Sequence, residues 1–285
     1  MGISMRQHLA SLVAVFLALL IGVLGGVALT RRPGLDEQIV HVMQQLDQRD
    51  QQELTRGRAA EEFGERALPT LVDGKLDGRR VAVFVTATSD TRRARRSLLY
   101  ALESAGAAVV TRATFDPFFV QYCHQNQGKL MADLELNSAP GDGLLAPVVA
   151  RKVAQVVVRG DTGAFGSLSR RRFVRIDEEA EGRPSLAIVV GGSKSPDQER
   201  LENLDLPLIR YLKSSRAIDS VVGCEASDVH ESVMSAYQKE DIPTVDHVDT
   251  AVGQYSLVLT LAGAEGNYGI KPSAGRHFPE MPEQP

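Results

Sequence analysis

Tryptophan is absent from these 285 residues and aromatic side chains make up only 5%. A carbohydrate platform or a base-stacking surface would therefore have few rings to work with. Charge of either sign is not in excess: 32 Lys and Arg against 36 Asp and Glu give a formal -4, so no basic field draws in nucleic acid. The two cysteines, Cys123 and Cys224, lie far apart in sequence. They suit either one disulfide in an oxidising compartment or two small buried hydrophobes. No P-loop is present, because "GGSKS" at Gly191–Ser195 contains no Gly-Lys pair, and no strand leads into G-x-G-x-x-G. Asp246, His247 and Asp249 are residue types found in hydrolases, but no nucleophile or complete ligand set accompanies them. A non-enzymatic role is the expectation.

What the chain does have is one long apolar run. From Leu9 to Thr30 there is no charged side chain, and those positions as a helix would cover roughly 33 Å, the thickness of a hydrocarbon core. A cleavable secretory signal has an apolar region of only about 7–15 residues. Arg31 and Arg32 close the run, and a cleavage-like Gly26-Val27-Ala28 would fall inside it. The reading is an uncleaved transmembrane anchor over residues 9–30, preceded by a short terminus, 1–8. Ala10, Ala14, Ala18, Gly22 and Gly26 recur every four residues along it, a stripe of small side chains that suits close helix pairing and a homodimer. A single span without ionisable residues is poor material for a pore. The arginines flanking it lean slightly toward a cytoplasmic C-terminal part.

Behind the span, Leu35, Ile39, Val42 and Leu46 fall at heptad spacing before the seam breaks at Arg49 and Glu53. Residues 31–75 therefore read as a helical stalk, either a short coiled coil or a polar juxtamembrane helix. The segment 76–271 reads as α/β. Apolar strands are expected at Val81–Val85, Ala108–Thr111, Ser185–Val190, Asp219–Gly223, near Ile242–Val245 and at Ser256–Leu261. Helices are expected at Thr91–Ser104 (capped from Thr88-Ser89-Asp90), Asp197–Ser214 and Ser227–Lys239. Buried-style strands alternating with helices imply a mostly parallel, doubly wound sheet of Rossmann or flavodoxin type. Phe115–Glu181 is less regular, and the proline-rich tail, 272–285, reads as loose.

In such a sheet, ligands sit at the carboxyl ends of strands. The candidate groove is thus Gly191, Gly192 and Ser193, with Gly266, Asn267, Tyr268 and Gly269. Either a plain strand-to-helix turn or an anion cradle of backbone amides fits the first group. Soft ligands are dispersed. His230 and Met234, one helical turn apart on the expected helix, would suit copper(I) if Cys224 came near. Cys123 and His124 are neighbours that a strand would point to opposite faces. The basic runs Arg92–Arg96 and Arg170–Arg172 suit solvated faces or an anionic lipid surface.

Ile3-Ser4-Met5-Arg6-Gln7-His8, the "LVAVFLAL" segment that follows, and Gly266-Asn267-Tyr268-Gly269 resemble the MctB-type copper transporter family, whose order of helix, polar stalk, α/β domain and glycine-tyrosine end this chain repeats. The resemblance implies a single-pass protein of the cell membrane with its N-terminus cytoplasmic and its C-terminal domain extracytoplasmic. It also implies a role in copper homeostasis or efflux, or, as for SteB-like septal members, partnership with division proteins of the envelope.

Overall fold

The computed structural model describes residues 14–23, 35–88, 91–133, 145–161, 163 and 173–280. They divide into two compact units, Met1–Ala60 and Glu61–Pro285. In the first, helix α1 covers residues 14–23, and its large apolar side chains, Val15, Phe16, Leu17, Leu19, Leu20, Ile21 and Val23, are all exposed. Among the described residues no helix is long and apolar enough to cross a membrane. The remainder of the expected span, 9–13 and 24–30, lies outside them. Ala14, Ala18 and Gly22 of the small-residue stripe are on α1, and a side chain added at Gly22 would meet nothing; Ala10 and Gly26 lie outside the described residues. Helix α2, Leu35–Val72, carries the heptad positions Leu35, Ile39, Val42 and Leu46. From Glu61 onward it belongs to the second unit, where Leu68 and Val72 are buried.

The second unit is built on a seven-stranded sheet in the order β3-β2-β1-β4-β5-β6-β7. Its strands are β1 (Arg80–Val85), β2 (Ala108–Phe115), β3 (Val174–Glu178), β4 (Leu186–Val190), β5 (Ser220–Cys224), β6 (Thr244–Val245) and β7 (Asn267–Tyr268). Every neighbouring pair is parallel except β2 with β3. The chain steps from β1 outward to β2, then returns across β1 to β4, so β1 and β4 flank the point where the winding reverses.

Both faces are covered, and the central strands show why. β1 places Ala82 and Phe84 in one core layer and Val81, Val83 and Val85 in the other; β4 divides Ala187 and Val189 from Leu186, Ile188 and Val190 in the same way. Strands apolar on alternate and intervening positions alike must be sandwiched. One layer is supplied by α4 (Phe119–Gln125), α6 (Ala146–Arg159), α7 (residues 198–214) and α8 (Met234–Lys239). The other comes from the end of α2, α3 (Arg92–Ser104) and α9 (Ala251–Leu261). A further short helix, α5, spans Gln127–Asp133. Helix α7 starts at Gln198–Arg200, widens into a π turn at Leu201–Asp205 and continues as Leu206–Ser214.

The α/β reading with a mainly parallel sheet holds, with local corrections. Ser256–Leu261 is not a strand but the second half of α9. Thr250 caps that helix by accepting from the Gly253 amide, and residues 253–261 are buried all round, so neither period could be read from them. The expected helix Ser227–Lys239 shrinks to Met234–Lys239, because residues before it bridge back to the sheet: Ser193 and Glu231 exchange backbone hydrogen bonds. Thr91, without a side-chain cap bond, precedes α3. The antiparallel edge strand β3 was not anticipated, nor was the length of β2. The tail is tied down as far as it is described, since Gly269 donates to Arg276 and Gly275 and Arg276 to Asn267.

Candidate functional site

At the winding reversal, a cleft of about 130 Å³ opens beside Thr86, which follows β1, and Gly192 and Ser193, which follow β4. Its other walls are Pro196 and Asp197 just before α7, Gln198, Arg200 and Leu201 at its start, Asp205, and Glu231 to Val233. This is the position at which doubly wound sheets hold ligands, because the two connections leave in opposite directions and part from each other. Backbone bonds keep the walls together: Thr86 donates to Val190 and Thr88 to Gly192.

The floor is polar and buried. Arg200 is only 5% exposed. Its Nε donates to the Thr86 carbonyl (2.5 Å), and one Nη1 donates to the carbonyls of Asp116 (2.8 Å) and Pro117 (3.1 Å). Its other terminal nitrogen, Nη2, is buried without a hydrogen-bond partner. Asp205, 3% exposed, accepts through Oδ2 from the Tyr237 hydroxyl (2.5 Å), while Oδ1 is buried and unpartnered. Burial pushes the Asp205 carboxyl up to about 6, although the Tyr237 hydroxyl and the Arg200 charge pull the other way. Burial likewise lowers the Arg200 guanidinium against the raising effect of Asp205 and Asp197, and raises the Tyr237 phenol.

The local sequence explains how these groups meet. Asp197 caps α7 by accepting from the Arg200 amide. The π turn, in which Leu206 donates to the Leu201 carbonyl five residues back, brings Arg200 and Asp205 onto one wall. Glycine at 191 and 223 lets Tyr237 lie against the backbone of β4 and β5; a Cβ at Gly223 would fall 2.5 Å from the Tyr237 ring.

A second polar cluster lies beyond the carboxyl ends of β5 and β6. Glu225, fully buried, accepts from Lys271 Nζ (2.7 Å), the Ser232 hydroxyl (2.6 Å) and the Val233 amide (3.3 Å). Burial raises its carboxyl despite these donors. Asp246 accepts from the amides of Ile270 and Lys271, and Asp249 from the amide and hydroxyl of Ser227. Asp246 and Asp249 are thus committed to holding loops, whereas His247 is 2% exposed, with Nδ1 3.2 Å from Asp246 Oδ1 and neither ring nitrogen in a hydrogen bond.

Of the groove expected from sequence, Gly192 and Ser193 line the cleft, and Gly191 is taken up by contact with Tyr237 and Val233. Gly266, Asn267, Tyr268 and Gly269 belong to β7 and its flanks, three strands on from β4 across the sheet, where Tyr268 donates to the Glu265 carbonyl. The three candidate copper ligands are not brought together. Cys224 is buried in the layer under α3 and α9, Met234 in the opposite layer, and His230 is exposed before α8 begins. Both cysteines are free and buried, Cys123 on α4. Burial pushes the Cys123 thiol up to about 12 and, with the Glu225 charge, raises Cys224 further. Among the described residues no group of three or more His, Cys, Asp or Glu side chains is arranged to hold a metal ion. Thr86, Arg200, Asp205 and Tyr237 carried no sequence signal of their own; only the strand end at Thr86 marked the place.

An open, mainly parallel sheet covered on both faces, with a polar cleft at its winding reversal, defines an α/β domain of the doubly wound type. The chain matches the family model described as "Copper transport outer membrane protein, MctB" over residues 2–279, nearly its whole length, and belongs to that family. It is thereby a copper-transport-related protein of the cell envelope. No curated protein matches it.

Proposed function

We propose that the chain is a membrane-anchored component of envelope copper homeostasis whose α/β unit acts as a recognition body and not as the path of the metal. The observation that carries this reading is the sheet itself. It is open, its edges β3 and β7 lie at opposite ends of the order, and each face is filled by a packed layer of the same chain. A membrane barrel closes its sheet and turns one face to lipid. The bare apolar side chains of α1 support anchoring through the N-terminal segment.

On this reading copper does not use Cys224 or Met234. Titration of the full chain in detergent with copper(I) against a competing chelator should give the same stoichiometry for the natural sequence and for Cys224→Ser combined with Met234→Leu. A tightly bound equivalent lost in that variant would overturn the assignment.

A second reading, a homodimeric scaffold for division proteins, is favoured by an apolar hollow of about 290 Å³ lined by Gly64, Leu68, Leu71, Val252, Tyr255 and Phe278, beside an exposed Phe63. Pairing through the small-residue stripe would press Gly22 against its copy. Gly22→Ile with Gly26→Ile should reduce crosslinked dimer in membranes severalfold. Unchanged crosslinking would remove the stripe from the interface.

A further inference from the structure

We propose that the cleft between the carboxyl ends of β1 and β4 binds a small zwitterion of the α-amino carboxylate class, its carboxylate directed to Arg200 and its ammonium to Asp205. This is independent of how the protein handles copper.

Three observations lead there. Two side chains on the floor, each more than nine-tenths buried, keep one polar atom without a partner: Arg200 Nη2, a donor, and Asp205 Oδ1, an acceptor. A buried polar atom left unpaired costs about 1–3 kcal/mol, more when charged. Two of opposite kind on the floor of one cleft call for a solute that answers both. Next, the charges lining the cleft are unequal: Arg200 is the single cation among the lining residues, Asp205 and Asp197 act on it, and Glu231 stands exposed on the opposite wall. A plain anion would meet net repulsion there, whereas a molecule that also carries a cationic group would not. Finally, at about 130 Å³ the space is close to that of a cavity of ~150 Å³ that admits a six-carbon ring, which limits the occupant to about six to eight heavy atoms.

The two termini of such a solute are read by different kinds of group. Arg200 is fixed by three carbonyl acceptors from two separate loops, so its guanidinium plane is set before anything binds. Asp205 is set by Tyr237, which is itself wedged between glycines 191 and 223. The groups facing the Asp205 carboxyl are Tyr237 from α8, Thr86 from the end of β1, and Arg200 and Asp197 from α7. Since burial holds that carboxyl near 6, its ammonium-binding form is depleted below that pH.

The test is calorimetric titration of the full chain in detergent with alanine, lactate, acetate and methylammonium. Alanine should bind with a dissociation constant on the order of 1 mM or tighter. Acetate, which lacks the donor, methylammonium, which lacks the carboxylate, and lactate, which lacks the positive charge, should each bind at least about tenfold more weakly. Alanine affinity should fall as pH drops through about 6. Asp205→Asn should weaken alanine binding about tenfold or more. Gln198→Trp, an exposed position on the cleft wall that leaves the floor untouched, should block it. The proposal is overturned by absence of alanine binding at several times that concentration, by equal binding of acetate, or by unchanged alanine binding in Gln198→Trp.

Discussion

Gly253→Ala should lower the thermal unfolding midpoint of the protein by on the order of 10 °C, read by circular dichroism in detergent, although alanine is the better helix former. The reason is a turn folded back beneath the helix. Gly253 sits in the first turn of α9, and the carbonyl of His247 tucks under it to accept from the Thr250 amide and hydroxyl. A Cβ at 253 would fall inside contact distance of that oxygen and of the His247 carbonyl carbon. Both are backbone atoms that cannot swing aside. Relief requires the His247–Thr250 turn to move, and that turn carries Asp249, which holds Ser227 through two hydrogen bonds. Overpacking of this kind costs about 3 kcal/mol or more. Gly22→Ala on α1, where the added carbon meets nothing, is the control and should leave the midpoint within experimental scatter.

Lys271→Met should be at least as damaging at neutral pH, costing about 3–5 kcal/mol. Lys271 Nζ serves Glu225 and also the carbonyl of Val229 (2.9 Å). Removing it strands a carboxylate with no exposed surface. The sign of the pH effect follows from Glu225. Burial raises its folded-state carboxyl above the unfolded value, so the folded form holds a proton more readily than the unfolded chain. Stability from this group is fully present below the unfolded value and is lost as pH rises through the folded one. Without Lys271 the folded value rises further, so the penalty of Lys271→Met should be largest at alkaline pH and shrink toward pH 4–5, roughly where the unfolded carboxyl titrates. Adding Glu225→Gln should restore more than half of the lost stability at neutral pH. Equal unfolding midpoints for Lys271→Met and the natural sequence across that range would show that Glu225 is not held by the lysine.

The central strands were legible because continuous apolar runs such as Leu186–Val190 have one economical fate, a sheet buried on both sides. The same rule failed at Ser256–Leu261. An apolar stretch surrounded by protein shows no period, and there the cap at Thr250 decided for helix. Cys224, His230 and Met234 lie apart for a related reason. Their spacing needed a helix at 230, but Val229 and Val233 are used against the glycines after β4, and the chain turns into helix only at Met234. The cleft was legible as a place and not as chemistry: the glycines after β4 announced a strand end. Arg200 and Asp205, five residues apart in an expected α-helix, belong on no common face at ordinary pitch.

That last separation has a lasting consequence. The π turn at Leu201–Asp205 amounts to one residue more than a regular helix would use. The wide turn takes up that residue without turning the helix on either side, so Arg200 and Asp205 stand as residues four apart would in an ordinary helix, about 40° from each other. Deleting one residue between them should therefore keep arginine and aspartate on one side and leave the hydrophobic seating of Leu208, Ile209 and Leu212 as it is. The helix can thus gain or lose a residue at this turn while the cleft wall upstream and the core downstream keep their bearings.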